Sequence, residues 1–219
     1  MPPGAASRHF PAIGSYGFLS DCRTSALVAP DGSLEWLCLP RFDSPSVFGS
    51  ILDRSAGHFR LGPSGESTPL SRRYIPGTLM LETTWSTGTG WVVVRDLLSI
   101  SAWAEQGGPE EMMTGHDSDH CLLRLIECVD GEVEMELDCR PRFAYGAEAA
   151  TWTAEGLGEA IAEGGGQRIL LATDLDLTLE QGGASGRLKM RQGDRAFVAL
   201  AWGEGIGNCC MTCSVKSSV

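Results

Sequence analysis

The feature that most constrains the fold is a recurring pattern, in which a short run of β-favouring residues is followed by a Gly, Asp or Pro turn. Residues 26–29 lead into Pro-Asp-Gly-Ser at residues 30–33, and a second apolar run follows at residues 34–39. Proline presets φ and glycine tolerates positive φ, so these four residues predict a tight turn between two strands. Thr-Gly-Thr at residues 87–89 predicts a second hairpin between the runs on either side of it.

A third hairpin is predicted at Asp130-Gly131, because Asp-Gly is the strongest short-range hairpin signal. Its arms are residues 121–129 and residues 132–140. In the second arm, apolar and acidic residues alternate with the period of two that a strand imposes, which predicts one core face and one acidic face in water. The apolar set is Val133, Met135, Leu137 and Cys139, and the acidic set is Glu132, Glu134, Glu136 and Asp138.

Later runs continue the same pattern, and no stretch predicts a long helix. They lie at residues 169–173, 175–180, 187–191 and 196–202. About a dozen strands are predicted, and 28 glycines and 11 prolines suit a chain with many turns. Regularly spaced antiparallel strands predict an all-β fold, a large antiparallel β-sandwich in one domain, rather than βαβ units.

The charge balance disfavours two classes of partner. A net charge of −11 offers no dense Lys/Arg patch for nucleic acid or an anionic membrane. The N-terminal residues lack the apolar core of a secretory signal, and no run approaches the roughly 20 apolar residues that span a bilayer. We therefore expect a cytoplasmic protein without a membrane or nucleic-acid partner.

Cysteine and histidine give no convincing metal centre. Five cysteines in strand-like surroundings are interpreted as buried, reduced thiols: Cys22, Cys38, Cys121, Cys128 and Cys139. His116 and His120 have the spacing of a helical metal site, but their Gly- and Asp-rich surroundings favour a solvated loop. Cys209, Cys210 and Cys213 lack an evident fourth ligand, so we predict neither metal nor cofactor.

Four carboxylates could supply a hydrolytic pair: Asp21, Glu35, Asp43 and Asp96. A glycosidase needs two carboxyl groups on opposite sides of the scissile bond, and nothing in the spacing brings any two together. Glu35 stands between Leu34 and Trp36, so alternation predicts that it faces solvent. No catalytic residue is predicted.

The polar stretch after the apolar run at residues 34–39 is the best candidate for a functional site. Pro40 ends the strand and Pro45 stiffens the exit, so Arg41, Phe42, Asp43 and Ser44 lie in a constrained loop. Arg41 and Asp43 can pair with each other or with sugar hydroxyls. Phe42 can stack on a pyranose or close the end of the sandwich. The chemistry alone favours a structural loop.

The longest motifs are IGSYGFLSDCRTSALV at residues 13–28 and DGSLEWLCLPRFDSP at residues 31–45, with RRYIPGT at residues 72–78 and RPRFAYG at residues 140–146 further on. Together they resemble the N-terminal domain of bacterial glycoside hydrolase family 15 proteins, which are glucoamylase-like and trehalase-like enzymes. The resemblance covers roughly residues 12–203. It leaves residues 1–11 as an extension and residues 204–219 as an atypical, Cys-rich tail, disordered or aberrant.

The resemblance implies a β-sandwich that precedes an (α/α)6 barrel, and in the family the barrel carries two glutamates that hydrolyse α-glucosidic bonds with inversion. No barrel and no catalytic glutamate can be placed on these 219 residues. We therefore expect a domain inactive alone that packs on a barrel. Tyr16 and the loop of Arg41, Phe42, Asp43 and Ser44 would line the domain interface or the pocket rim, where an α-glucoside such as trehalose binds.

Two other classes remain open at this stage. One is a free-standing carbohydrate-binding or protein-interaction module, which would use aromatic residues such as Phe42 and Trp36. The other is a metal-binding protein that uses the thiols of the tail.

Overall fold

The computed structural model describes residues 10–66, 68–99 and 121–203 of the chain. Nearly all of the N-terminal extension, the predicted solvated loop with His116, and the tail with its three cysteines lie outside the described residues. His120 also lies outside them.

The described chain is built from β-strands, as predicted, and contains no α-helix. One 3₁₀ turn at Ile13–Ser15 precedes the first strand. Within the described ranges, no helix is long and apolar enough to cross a membrane. The strands are β1 Gly17–Ser20, β2 Ser25–Val28, β3 Ser33–Cys38, β4 Ser46–Phe48, β5 His58–Pro63, β6 Ser71–Tyr74, β7 Leu81–Ser86, β8 Gly90–Leu98, β9 Cys121–Arg140, β10 Arg142–Phe143, β11 Glu148–Ala149, β12 Thr151–Gly156, β13 Glu159–Gly164, β14 Gln167–Thr173, β15 Asp176–Glu180, β16 Gly183–Arg191 and β17 Arg195–Trp202.

Fifteen of these strands form one antiparallel sheet that doubles over into two layers, and β10 and β11 form a separate ribbon. The long strand β9 belongs to both layers. Its first half pairs with β8 and β17, and its second half pairs with β5 and β16. The predicted antiparallel sandwich is confirmed, with β9 as the strand that joins its layers.

The hairpin predicted at Asp130-Gly131 is wrong. The two predicted arms do not pair with each other, because they are successive halves of β9. Gly131 has a φ of +65°, and a Cβ there would lie 2.1 Å from the carbonyl oxygen of Thr89. The β8–β9 ladder shifts register beside this point, which leaves Val129 as an extra residue. The Asp-Gly pair therefore bends a strand from one layer into the other instead of reversing the chain.

Other local predictions are confirmed. The turns at residues 30–33 and 87–89 join the paired strands β2–β3 and β7–β8. The apolar set of β9 is buried, as predicted from its alternation. The acidic set lies on the outer face but does not simply face water, because arginines of neighbouring strands pair with it. Examples are Arg187 with Glu136 at 3.0 Å and Arg191 with Glu132 at 3.3 Å.

A buried ion pair ties the layers together. Arg124 of β9 is completely buried, and its Nε lies 2.8 Å from Oδ1 of Asp96 on β8. Its other nitrogens donate to the carbonyl oxygens of Phe59, at 2.9 Å, and Gly32, at 2.7 Å, both in the facing layer. The guanidinium also lies 5.1 Å from the centre of the Phe59 ring. One side chain thus satisfies acceptors on both sides of the core.

The cysteines follow the prediction in four cases of five. Cys38, Cys121, Cys128 and Cys139 are buried free thiols among strand residues. Burial raises the pKa of the Cys139 thiol well above its ordinary value, which keeps it protonated and unreactive. Cys22 was predicted to be buried and is exposed, because it occupies the tip of the β1–β2 turn.

We expect Arg124→Met to lower the free energy of unfolding by about 3–5 kcal/mol, because it leaves the carboxylate of Asp96 buried without its partner. Urea unfolding at pH 7, followed by tryptophan fluorescence, measures this loss. The control is Arg191→Met, which removes an exposed pair with Glu132 and should cost less than about 1 kcal/mol. Equal losses in the two variants would contradict the proposed role of the buried pair.

Candidate functional site

The loop after β3 folds on its own contacts. Arg41 donates to Asp43 from Nε at 3.0 Å and from Nη2 at 2.8 Å, and both side chains are about two-thirds exposed. The hydrogen bond raises the pKa of Arg41 and lowers that of Asp43. The backbone N–H of Arg41 donates to Oγ of Ser44, and the N–H of Ser44 donates to the carbonyl oxygen of Arg41. The loop is therefore a closed, preformed turn.

Phe42 lies between the two charged residues and is 53% exposed. Its N–H donates to the carbonyl oxygen of Arg23 in the β1–β2 turn, at 2.9 Å. This bond fixes the backbone under the ring, so the ring projects from an ordered position. Its predicted role as a plug for the end of the sandwich is not supported, since half of its surface faces solvent.

A second turn, not singled out from the sequence, lies against this loop. Tyr145 donates from its hydroxyl to the carbonyl oxygen of Ser44 at 3.4 Å and from its N–H to that of Ser46 at 3.3 Å. Gln167, at the start of β14, donates to the carbonyl oxygen of Leu39 at 2.7 Å. Contacts from both layers thus support the loop. The only sequence signal for Tyr145 was its place in the RPRFAYG motif.

Backbone strain is concentrated around the same loop. Within the described residues, three non-glycine residues have positive φ: Cys22 at +69°, Ala144 at +51° and Tyr145 at +58°. Cys22 precedes Arg23, whose carbonyl oxygen accepts the hydrogen bond from the Phe42 N–H. Ala144 precedes Tyr145, which supports the loop through Ser44 and Ser46. Left-handed backbone in non-glycine residues is unfavourable and gathers at functional sites.

Tyr16 belongs to a different cluster, centred on Glu35. Tyr16 donates from its hydroxyl to Oε2 of Glu35 at 2.5 Å, and Arg54 donates from Nη1 to Oε1 at 2.5 Å. The Phe10 ring covers the Arg54 guanidinium at 4.1 Å. Burial raises the pKa of the Tyr16 hydroxyl, and the bond to Glu35 raises it further. In the part of the chain that the structure describes, Tyr16 makes no hydrogen bond to the Arg41–Asp43 loop.

The prediction that Glu35 faces solvent is wrong, since the residue is only 5% exposed. The β2–β3 ladder pairs Leu27 with Trp36 and Val28 with Leu34, which leaves Glu35 as the extra residue of a β-bulge. A bulge breaks the period of two on which the prediction depended. The sequence reasoning also missed Arg54, because its partner lies 19 positions away with no periodic relation to it.

The other candidate carboxylates are each committed elsewhere. Asp21 accepts the N–H groups of Arg23 and Thr24 and shapes the β1–β2 turn. Asp96 pairs with Arg124 in the core, and Asp43 pairs with Arg41 at the surface. Among the described residues, no three His, Cys, Asp or Glu side chains form a potential metal site.

The described residues thus form an all-β sandwich with a candidate loop site at one end. The family described as "Trehalase-like, N-terminal" matches residues 6–187, and the chain belongs to this family.

Named relatives agree with this family. The chain is 50% identical over 204 residues to "Trehalase" of Mycobacterium tuberculosis and 48% identical to "Trehalase" of Mycolicibacterium smegmatis, in each case over 88% of this chain. It is 43% identical over 130 residues to "Trehalase 1" of Sulfolobus acidocaldarius, over 59% of this chain. The matched part spans 30% of the two mycobacterial proteins and 19% of the Sulfolobus protein.

We expect Tyr16→Phe to lower the free energy of unfolding at pH 7 by about 1.5 kcal/mol, because a buried carboxylate loses a hydroxyl donor. This difference should shrink above pH 10. The unfolded tyrosine ionises near its ordinary pKa of 10.0, whereas the folded one keeps its proton, so alkali stabilises the unfolded wild type.

Urea titrations at several pH values between 7 and 11 test both statements. Tyr145→Phe is the matched control, because it removes only a long, exposed hydrogen bond and should change little. A Tyr16→Phe loss that stays constant across this range would contradict the assignment of a raised pKa.

Proposed function

We propose that this chain is the N-terminal β-domain of a trehalase of the glycoside hydrolase family 15 type, inactive alone. In this proposal residues 12–203 form the domain, with an extension before it and an atypical tail after it. Hydrolysis of the α-glucosidic bond belongs to a helical catalytic barrel, where an acid and a base carry out inversion. The family match and the named mycobacterial relatives support this function.

We include a cytoplasmic location in the proposal. Four buried free thiols among the described residues are consistent with a reducing compartment.

The observation that supports the proposed site is the concentration of strained backbone around one loop. All three left-handed, non-glycine residues of the described chain lie in turns that contact Phe42, Ser44 or Ser46, or directly beside such turns. Left-handed backbone of this kind clusters at functional sites, where a surface must keep a particular shape. Binding residues also tend to lie on loops held by a rigid scaffold. We assign the Arg41–Ser44 loop to the rim of the pocket or the interface with the barrel.

The residues of the site differ in their chemistry. Arg41 and Asp43 can offer N–H donors and carboxylate acceptors to sugar hydroxyls, and Phe42 can stack on the apolar face of a pyranose. Ser44 shapes the loop, since its Oγ accepts the Arg41 N–H. Tyr16 serves the interface rather than the sugar, because its hydroxyl is committed to Glu35.

A second candidate is a carbohydrate-binding module that works without a barrel. The observation in its favour is the exposure of both Phe42 and Tyr145 beside the Arg41–Asp43 pair. Calorimetric titration of the isolated chain with trehalose and with maltose separates the two functions. Saturable binding that Phe42→Ala weakens would favour the module, and a flat titration would remove it.

We expect the 219-residue chain to hydrolyse neither trehalose nor maltose. A chimaera in which it replaces the matching part of the Mycobacterium tuberculosis relative should hydrolyse trehalose. Phe42→Ala in the chimaera should lower kcat/KM about tenfold, which corresponds to about 1.4 kcal/mol of lost transition-state stabilisation.

Leu157→Ala is the control, because Leu157 is fully exposed at the β12–β13 turn. The adjacent Gly158 contacts the end of β14 opposite to Gln167, so this turn is remote from the Arg41–Ser44 loop. Activity of the isolated chain would overturn the proposal, and so would a folded chimaera that lacks activity. Equal effects of the Phe42 and Leu157 substitutions would remove the loop from the site.

A further inference from the structure

An uncharged depression of about 640 Å³ lies beside the end of β8 and takes no part in the site above. None of its lining residues is charged, in a chain with 28 acidic and 17 basic residues. They are Ser20, Gly77, Thr78, Leu79, Met80, Leu97 and Leu98. Leu79 is 45% exposed, and Phe18 and Tyr74 expose similar fractions close by. This surface, the apolar groove, is therefore a place where apolar side chains remain open to water.

The wall of the apolar groove is a rigid turn. The N–H of Ile75 donates to the carbonyl oxygen of Met80 at 3.0 Å, and Oγ1 of Thr78 donates to the carbonyl oxygen of Ile75 at 2.8 Å. The N–H of Met80 in turn donates to Oγ1 of Thr78. Gly77 has a φ of +77°, which the turn requires. Leu79 is thus held out by a closed hydrogen-bond ring, not by a loose loop.

The edge of β1 next to the groove is ordered as well. The hydroxyl of Tyr74 accepts the N–H of Phe18 at 2.7 Å and lies 3.1 Å from its carbonyl oxygen. One hydroxyl therefore occupies both backbone groups of Phe18 on the free edge of β1, so that edge cannot pair with another strand there. The surface that remains for a partner is formed by side chains that are mostly apolar, since the hydroxyls of Ser20 and Thr78 donate to backbone carbonyl oxygens.

The groove lies at the end of the sandwich from which the polypeptide leaves the last strand. Leu98 of β8 pairs with Leu122 of β9, and Leu122 pairs with Leu200 of β17. Neighbouring strands are about 4.8 Å apart, so the ends of β8 and β17 are about 10 Å from each other. The end of β17 therefore lies close to the groove.

We infer that the apolar groove is the seat of an apolar segment of the polypeptide that follows this domain in the longer trehalase relatives. This inference rests on the proposed function. The family is the N-terminal part of its proteins, and the match covers 30% of the mycobacterial ones, so most of their length remains to be packed. The uncharged, mostly apolar lining favours an apolar partner, since a charged one would lose its hydration without compensation.

The test compares hydrogen exchange in the 219-residue chain and in the chimaera with the Mycobacterium tuberculosis relative. We expect residues 75–80 and 97–98 to gain at least tenfold protection in the chimaera. Leu79→Asp should abolish that gain and lower the Tm of the chimaera. Leu70→Asp, a matched change at an exposed leucine beside Thr84 at the far end of the β6–β7 hairpin, should leave both unchanged.

The outcomes separate the inference from the proposed function. A chimaera that hydrolyses trehalose while the groove stays unprotected overturns the inference alone. A folded chimaera without activity contradicts the proposed function, whereas the exchange data still decide the groove. Protection that rises with chimaera concentration and is lost in Leu79→Asp would make a second copy the occupant and would overturn the inference. A Leu79→Asp variant with exchange like the parent chimaera would do so as well.

Discussion

The structure depends on one buried cation. Arg124 is completely buried, and a guanidinium in such a place is tolerated only where its N–H groups meet acceptors. Asp96 supplies a carboxylate from the same layer, and Phe59 and Gly32 supply carbonyl oxygens from the facing layer. These bonds have direction, unlike the contacts of the surrounding leucines and valines. They determine how the two halves of the sheet face each other.

This alignment brings loops from both layers together at one end of the sandwich. Because β9 continues from one layer into the other, the segments before and after it can meet. Ser20 of one layer and Leu98 of the other line the same groove. Gln167 reaches the carbonyl oxygen of Leu39, and Gly164 lies directly against the Phe143 ring. The Arg41–Ser44 loop and the apolar groove thus lie at the same end of the sandwich.

Local turns and alternation were predictable, whereas the way strands continue was not. The turn at residues 30–33 follows from Pro and Gly chemistry, and the buried face of β9 follows from its period of two. Asp130-Gly131 has the sequence of a hairpin turn, and only its pairing with β8 makes it a bend between the two layers. The burial of Glu35 results from a bulge, which no pattern in a single strand reveals. The candidate loop was selected by its motif, but its support by Tyr145 depends on a contact across 101 positions.

The Arg41–Ser44 loop holds its conformation through its own contacts, which is a useful property for a binding surface. Arg41 and Asp43 satisfy each other, and Ser44 and Arg23 hold the backbone, so the shape of the loop needs no ligand. An exposed ion pair of this kind adds little stability, and its value lies in preorganisation. A ring such as that of Phe42, already fixed beneath, loses little conformational entropy when it is covered. The chain therefore meets the ordering cost of this surface during folding.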